Sequence, residues 1–345
     1  MRRPVVLAAI VILAACAPKS APTLPRLLPS PTPSPSPILA FESDPTCGVA
    51  AGPAAAGSPP GRADTALAWD FARHQLVLFG GRSTTRLLGD TWTWNGSHWA
   101  SAAHVGPSPR TGAAIAYDTL RQVIVLSGGE TNDGSQVGFG PAGDTWTWDG
   151  RAWARAQPVH QPVLTGPVAT FSPALGLAVM VGQHDLEFQA WTWDGHDWRQ
   201  VPVPAGLARA NPALAFDPLS RTVLLFGGLR DRRRLDDTWL FDAGGWRQVA
   251  TATRPPARSQ GGLALDAANR KLVLVGGVTD GAPPCSTWSW DGTGWAETPA
   301  GGKPNTVLPP VWGDRGLLAM SVEIYDHAFV NRLWTWDVGR WKRIA

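Results

Sequence analysis

Six segments of this 345-residue chain carry one plan, Trp-x-Trp-[Asp/Asn]-Gly-x-x-Trp or a close variant, and no other feature restricts the possible folds as severely. They begin at Trp92, Trp146, Trp191, Trp239, Trp288 and Trp334, with Trp146-Thr147-Trp148-Asp149-Gly150-Arg151-Ala152-Trp153 as the type. Successive starts lie 54, 45, 48, 49 and 46 residues apart, a period that belongs to repeated supersecondary units rather than to one irregular domain. Trp fills every aromatic slot except that of Phe241, which uses 17 of the 19 tryptophans. A side chain demanded in every unit is explained by packing between units more simply than by contact with one ligand.

Two further pieces precede the motif. Thr65-Ala66-Leu67-Ala68-Trp69-Asp70 is followed by Leu76-Val77-Leu78-Phe79-Gly80-Gly81, and the pair recurs at 113–118 with 123–129, at 213–217 with 223–228 and at 262–266 with 272–277. These short apolar runs between Asp, Pro and Gly turns read as strands a and b of a four-stranded unit, and the Trp motif supplies strands c and d. Trp at i and i+2 share one face of strand c. Asp-Gly or Asn-Gly signals a two-residue hairpin turn, both of whose central residues take positive φ. That turn predicts Trp92 opposite Trp99, an indole pair that buries a large apolar area. The expected fold is all-β: a six-bladed β-propeller of four-stranded antiparallel blades at about 62–109, 110–163, 164–208, 209–257, 258–304 and 305–345.

The glycine pair, the Asp-Thr-Trp opening strand c and the Trp on strand d resemble Kelch repeats, over about four-fifths of the chain. The third unit departs by carrying Gln183 for the second glycine; the sixth, Leu317-Leu318-Ala319-Met320-Ser321, has lost both. WD40 blades need an early Gly-His, and the sole one here, Gly195-His196, falls in a c–d turn. The run Ser289-Trp290-Asp291-Gly292-Thr293-Gly294-Trp295 is one residue too short for an Asp-box.

The first residues read as a leader. Arg2 and Arg3 precede an apolar run over Val5 to Ala14, too short to span a membrane, and Leu13-Ala14-Ala15-Cys16 resembles the lipobox of bacterial lipoproteins. The expectation is a signal peptide over 1–15, acylated Cys16 opening a Pro/Ser-rich linker over 16–40, and an N-terminal extension over 41–61. The chain would then sit on the extracytoplasmic side of a bacterial envelope, with the membrane as partner through its anchor. Outside the cytoplasm Cys47 and Cys285 form a candidate disulfide. The formal net charge of +3 falls to +1 without Arg2 and Arg3, and this near balance argues against nucleic acid.

With strands alternating up and down, the a–b and c–d turns form a constant face, and the b–c and d–a connections form a variable one where binding is expected. Four arginines, Arg62, Arg110, Arg209 and Arg258, lie seven residues before the aromatic or Leu slot of strand a. Their forks suit planar oxyanions. Yet Asp90, Asp144 and Asp237 occur in the blades of Arg62, Arg110 and Arg209, whereas blades 3 and 6 carry Leu164 with Gln189 and Asn305 with Arg332. Arg and Asp appear and vanish together, which predicts structural pairs Arg62–Asp90, Arg110–Asp144 and Arg209–Asp237. Arg258, facing Ser286, remains as a candidate ligand group. His184, Glu187, Glu323 and His327 are further candidates on the variable face. The histidines show no metal-ligand spacing, and Glu130, Asn132 and Asp133 match no calcium loop. Neither metal nor cofactor is expected, and no residue is assigned to catalysis. The copper site of galactose oxidase, another Kelch-like propeller, needs two tyrosines that Tyr117 and Tyr325 do not supply. The reading is a binding module for a protein or carbohydrate ligand. The alternatives are a carbohydrate-active enzyme resembling Kelch-type sialic-acid epimerases, and a structural envelope protein.

Overall fold

A computed structural model describes residues 57–103, 105–132, 140–280, 286–298, 310–314, 316–325, 327–337 and 340–344. Cys16, Cys47, Cys285 and the leader and linker segments lie outside the described residues.

Six four-stranded antiparallel sheets follow one another along the chain. Blade 1 takes strand a from Ala66–Asp70, b from Gln75–Phe79, c from Thr91–Trp94 and d from Trp99–Ser101. The a strands of the later blades are Ala114–Asp118, Thr165–Ser172, Ala213–Asp217, Gly262–Asp266 and Val311–Gly313. Each a strand touches the next, and the sixth touches the first, so the a strands line a closed ring. This is the six-bladed propeller that the Trp period predicts, and no helix occurs among the described residues.

The period-2 alternation of the strands explains how the ring holds together. Ala66, Ala68, Val77 and Phe79 of blade 1 pack with Ile124, Leu126, Trp148 and Trp153 of blade 2. The intervening residues Leu67, Trp69, Leu76 and Leu78 pack the other way, on Leu318, Met320 and Leu333 of blade 6. A separate apolar cluster fills each of the four remaining interfaces. Every blade is therefore buried on both faces, and near-continuous apolar runs such as Val123–Ser127 are the sequence mark of that burial.

The hairpin joining strands c and d differs from its sequence reading. Trp94 pairs with Trp99 and Trp92 with Ser101, so four residues, Asn95 to His98, form the turn. Only the glycine takes positive φ, at 98° for Gly96. The preceding Asn or Asp instead caps the turn: Asp149 Oδ1 accepts the N–H groups of Arg151 and Ala152, each at 2.8 Å. This side-chain bonding replaces the tighter two-residue turn. The second and third tryptophans of the motif are consequently the stacked pair, as with Trp148 and Trp153, whose rings lie 5.4 Å apart.

The glycine pair decides how strand b ends. Gly80 and Gly81 take φ of 63° and 96°, and a Cβ on Gly80 would lie 2.6 Å from the Arg110 carbonyl oxygen of the next blade. The N–H of Gly81 donates to that same oxygen at 2.8 Å. Blades 3 and 6, which lack the pair, have no such break. Their b and c strands run on as Leu177–His184 with Glu187–Trp193, and Gly316–Tyr325 with Ala328–Asp337. What reads in the sequence as b–c loops at 184–189 and 323–331 is therefore mostly paired strand, the last pairs being His184 with Glu187 and Tyr325 with Ala328.

Candidate functional site

Most of the repeated polar groups on the b–c side serve the fold. Arg62 is completely buried, and its Nη1 and Nη2 donate to the two oxygens of Asp90 at 2.6 and 2.9 Å. The same Nη1 also reaches the Gly80 carbonyl, and Nε the Pro60 carbonyl. The Trp92 indole N–H completes the group by donating to Asp90 Oδ2 at 2.6 Å. Blades 2 and 4 repeat this set with Arg110, Asp144 and Trp146, and with Arg209, Asp237 and Trp239. Burial tends to raise the pKa of each Asp, but the bonds from Arg and Trp outweigh it and hold all three below 3.8. These arginines stitch strand b's end to strand c and present no free fork.

Arg258 has the same position without the carboxylate. It is buried, and its guanidinium donates to the carbonyls of Pro256, Gly276 and Ser286 and to Ser286 Oγ. Burial pushes its pKa down to about 10, against an upward pull from Glu297. As placed, it does not project into solvent toward a ligand on the variable face, so its candidacy for that face loses its geometric basis.

The three tryptophans of the motif divide the work. The first donates its N–H within its own blade, as Trp92 does. The second lies in the blade interface; Trp148, Trp193 and Trp290 are all fully buried. The third reaches back to the preceding blade: Trp153, Trp198 and Trp295 donate to the hydroxyls of Thr91, Thr145 and Thr238 at 2.8–2.9 Å. Sequence reasoning passed over that threonine, although its place in Asp-Thr-Trp was visible.

The seam between blades 6 and 1 uses different chemistry. At the seams of blade 1 with 2 and of blade 4 with 5 the main chain does the joining: Gly81 N–H donates to Arg110 O and Arg110 N–H to Leu88 O, and Gly228 N–H to Arg258 O and Arg258 N–H to Leu235 O. Blade 6 has no glycine pair, and the Asn331 side chain substitutes for it. Asn331 Oδ1 accepts the Arg62 N–H at 2.8 Å, and Asn331 Nδ2 donates to the Arg62 carbonyl at 2.8 Å. The Arg82 guanidinium also lies over the Phe329 ring, 5.7 Å from its centre.

Two extended hairpins are exposed features of the variable face. Blades 3 and 6 lie three steps apart either way round the ring, so their hairpins stand on opposite sides of the channel mouth. His184 and Glu187 form the last pair of the blade 3 hairpin, both exposed, with Leu186 between them 94% exposed. His184 Nδ1–H donates to the Val163 carbonyl at 2.9 Å, and its Nε2 lies 3.8 Å from Asp185 Oδ2. In blade 6, Glu323 pairs along the backbone with Val330, and exposed His327 sits in the turn with φ of 61°. His184, Glu187 and His327 thus lie at the two tips, whereas Glu323 sits three ladder pairs below the blade 6 turn. Elsewhere on the face, the run Arg230–Arg234 folds into a small ribbon, with Arg230 bonded to the Gly206 carbonyl and Arg234 to Asp280.

The d–a connections do not all stay on this face. His160, between strand d of blade 2 and strand a of blade 3, donates its N–H to Asp197 Oδ1 at 2.9 Å, and its Nδ1 lies 2.8 Å from Oδ2. Asp197 belongs to a c–d turn. Strand d of blade 2 is only three residues long, so this connector has the length to run along the rim to the constant side. Among the described residues no group of His, Cys, Asp and Glu is arranged to hold a metal ion.

Neither a family model nor a curated protein matches the sequence. Among solved structures, that of YjhT superimposes with a TM-score of 0.61 at 14% identity, covering 83% of this chain and 98% of that one. At that identity the likeness is one of fold, and it agrees with the all-β propeller described above.

Proposed function

We propose that the chain is a lipid-anchored, extracytoplasmic binding module that holds a protein or carbohydrate ligand between the hairpin tips of blades 3 and 6. The observation carrying this reading is the contrast on one face: the repeated arginines are consumed in structural bonds, whereas the two blades without the glycine pair raise opposed, exposed tips. Rigid strands presenting a few exposed side chains suit recognition, because little ordering entropy is lost on binding. Leu186, exposed at the very tip, supplies an apolar contact flanked by His184, Asp185 and Glu187. The lipobox-like Leu13-Ala14-Ala15-Cys16 and the Pro/Ser-rich linker support the anchored part of the reading.

A carbohydrate-active enzyme is the second reading. It is favoured by His184 and Glu187, exposed and paired along the backbone at the blade 3 tip, which place an imidazole and a carboxylate at one address for acid–base work on a sugar hydroxyl. The test is an array of glycans and envelope proteins probed with the purified chain, followed by NMR of any glycan hit for slow chemical change. Binding that survives in Leu186→Asp and His327→Ala variants with unchanged melting would sink the two-tip reading. Turnover of the hit would favour the enzyme. The anchor fails if Cys16→Ser chains still fractionate with membranes and still take up labelled palmitate.

A further inference from the structure

Blade 5 departs from the Arg–Asp–Trp arrangement in a way that separates two donors from the acceptor they share elsewhere. In blades 1, 2 and 4 a single oxygen, Oδ2 of Asp90, Asp144 or Asp237, accepts from both an Arg Nη2 and a Trp Nε1. Every one of those bonds is 2.6–3.0 Å long. The equivalent indoles of blades 3 and 6 are also satisfied, Trp191 by Gln189 and Trp334 by Ser321 Oγ. In blade 5 the Asp slot holds Ser286. Its Oγ accepts from Arg258 Nη2 at 2.7 Å, and the buried Nε1 of Trp288 meets no acceptor among the described residues.

The charge has the same problem as the indole. Arg258 is 1% exposed and has no carboxylate within ion-pair distance among the described residues. Glu297, opposite Trp288 on strand d, acts on it only through space and is itself exposed. Residues 281–285 and 299–309, which flank strands c and d, include no Asp or Glu. A buried guanidinium without a counter-charge is costly, and a water molecule brings an acceptor but no charge. Asp exceeds Ser by one carbon and one oxygen, roughly the ~30 Å³ share of a single water molecule. An ion filling that difference in volume is of halide size.

We propose that blade 5 binds one small monovalent anion of halide size at the position of the missing carboxylate oxygen, held by Arg258 Nη2, Trp288 Nε1 and the Ser286 hydroxyl. With Ser286 Oγ accepting from Arg258, its own proton is free to become the third donor. The site lies within a blade rather than on the hairpin tips, so it stands or falls separately from the proposed ligand face. Its role is to complete blade 5 as Asp completes blades 1, 2 and 4.

The test uses the full chain, melted in chloride and in gluconate at constant ionic strength, and crystals grown in bromide. Above the dissociation constant, Tm rises by about 2 °C for each tenfold increase in chloride, and gluconate has no such effect. An anomalous bromide peak appears between Arg258 and Trp288. Ser286→Asp supplies the carboxylate, so its melting becomes independent of chloride. Should that variant fail to fold, Trp288→Phe removes one donor and moves the onset of the chloride response to an at least several-fold higher concentration. Equal melting in the two salts, water rather than bromide at the position, an undiminished response in Ser286→Asp or an unmoved onset in Trp288→Phe overturns the proposal.

Discussion

Asp144→Ser converts blade 2 into a copy of blade 5 and measures what the carboxylate contributes. The wild-type Asp144 accepts from Arg110 Nη1 at 2.5 Å, from Arg110 Nη2 at 3.0 Å and from Trp146 Nε1 at 2.7 Å. Its side chain is 18% exposed and that of Arg110 1%, so the pair is only weakly screened by solvent. Removing one partner of such a pair costs about 3–5 kcal/mol, because the other charge stays buried. The serine hydroxyl recovers one bond, as Ser286 does with Arg258, worth about 1 kcal/mol. The expected loss is about 2–4 kcal/mol, or about 3–7 °C in Tm for a ring of roughly 280 residues. The assay is thermal and urea unfolding of the wild type, Asp144→Ser and the double variant Arg110→Met with Asp144→Leu. The double variant removes the unpaired charge but leaves the Trp146 N–H and the Gly128 carbonyl without their partners, so it should recover only part of the loss of the single variant. A single substitution costing under about 1 kcal/mol, or a double costing more than the single, would refute the assignment of these pairs as structural bonds in which the unpaired charge is the penalty.

Asn331→Ala removes both amide bonds to the Arg62 backbone and should destabilise the ring by about 2–3 kcal/mol, seen as a lower urea midpoint. Asn331→Asp should be damaging too, because a carboxylate accepts from the Arg62 N–H but has nothing to donate to its carbonyl. Acid should unfold the protein late. Asp90, Asp144 and Asp237 are held below 3.8, so the stability they contribute is complete above that value and is lost as pH falls through their depressed folded-state pKa values. Melts should therefore change little through these groups between pH 7 and about 5 and fall below about pH 4; a steep loss near pH 6 would show that other groups govern. At the rim, the His160 N–H and side chain hold the Asp197 carboxyl at about 2, and carbon-detected NMR titration of that carboxyl checks the clasp without unfolding the chain.

The ring was legible because its evidence is repetition: a Trp period near 48 residues is unaffected by any single irregular blade. The co-occurrence of Arg with Asp likewise pointed to Arg62–Asp90, Arg110–Asp144 and Arg209–Asp237, because a buried charge and its counter-charge are kept or lost together. Three matters were not legible. The Asp-Gly signal leaves turn length open, since the same Asp serves a four-residue turn through its side chain, and the register of Trp94 with Trp99 depends on that choice. Loss of Gly-Gly in blades 3 and 6 was visible as a departure, but its consequence, a continuous hairpin, depends on strand pairing that no local pattern states. Asn331 gave no signal at all, because its partner is the backbone of Arg62 rather than a complementary side chain. In the sequence His184, Glu187, Glu323 and His327 stand out only as titratable groups in variable loops; strand pairing alone puts His184, Glu187 and His327 at hairpin tips and Glu323 within a strand.

The Asn331–Arg62 clasp also has a consequence in time. Its two residues are 269 positions apart in the chain. At synthesis rates of about 5–20 residues per second, the clasp's second half is made roughly 13–54 s after its first. Throughout that interval Leu67, Trp69, Leu76 and Leu78 of blade 1 have no neighbour to cover them, since their partners Leu318, Met320 and Leu333 belong to the last strands made. Each of the first five blades meets the next within one repeat, while the opening blade must wait for the whole circle, so the nascent protein is most open to misassembly at the edge it made first.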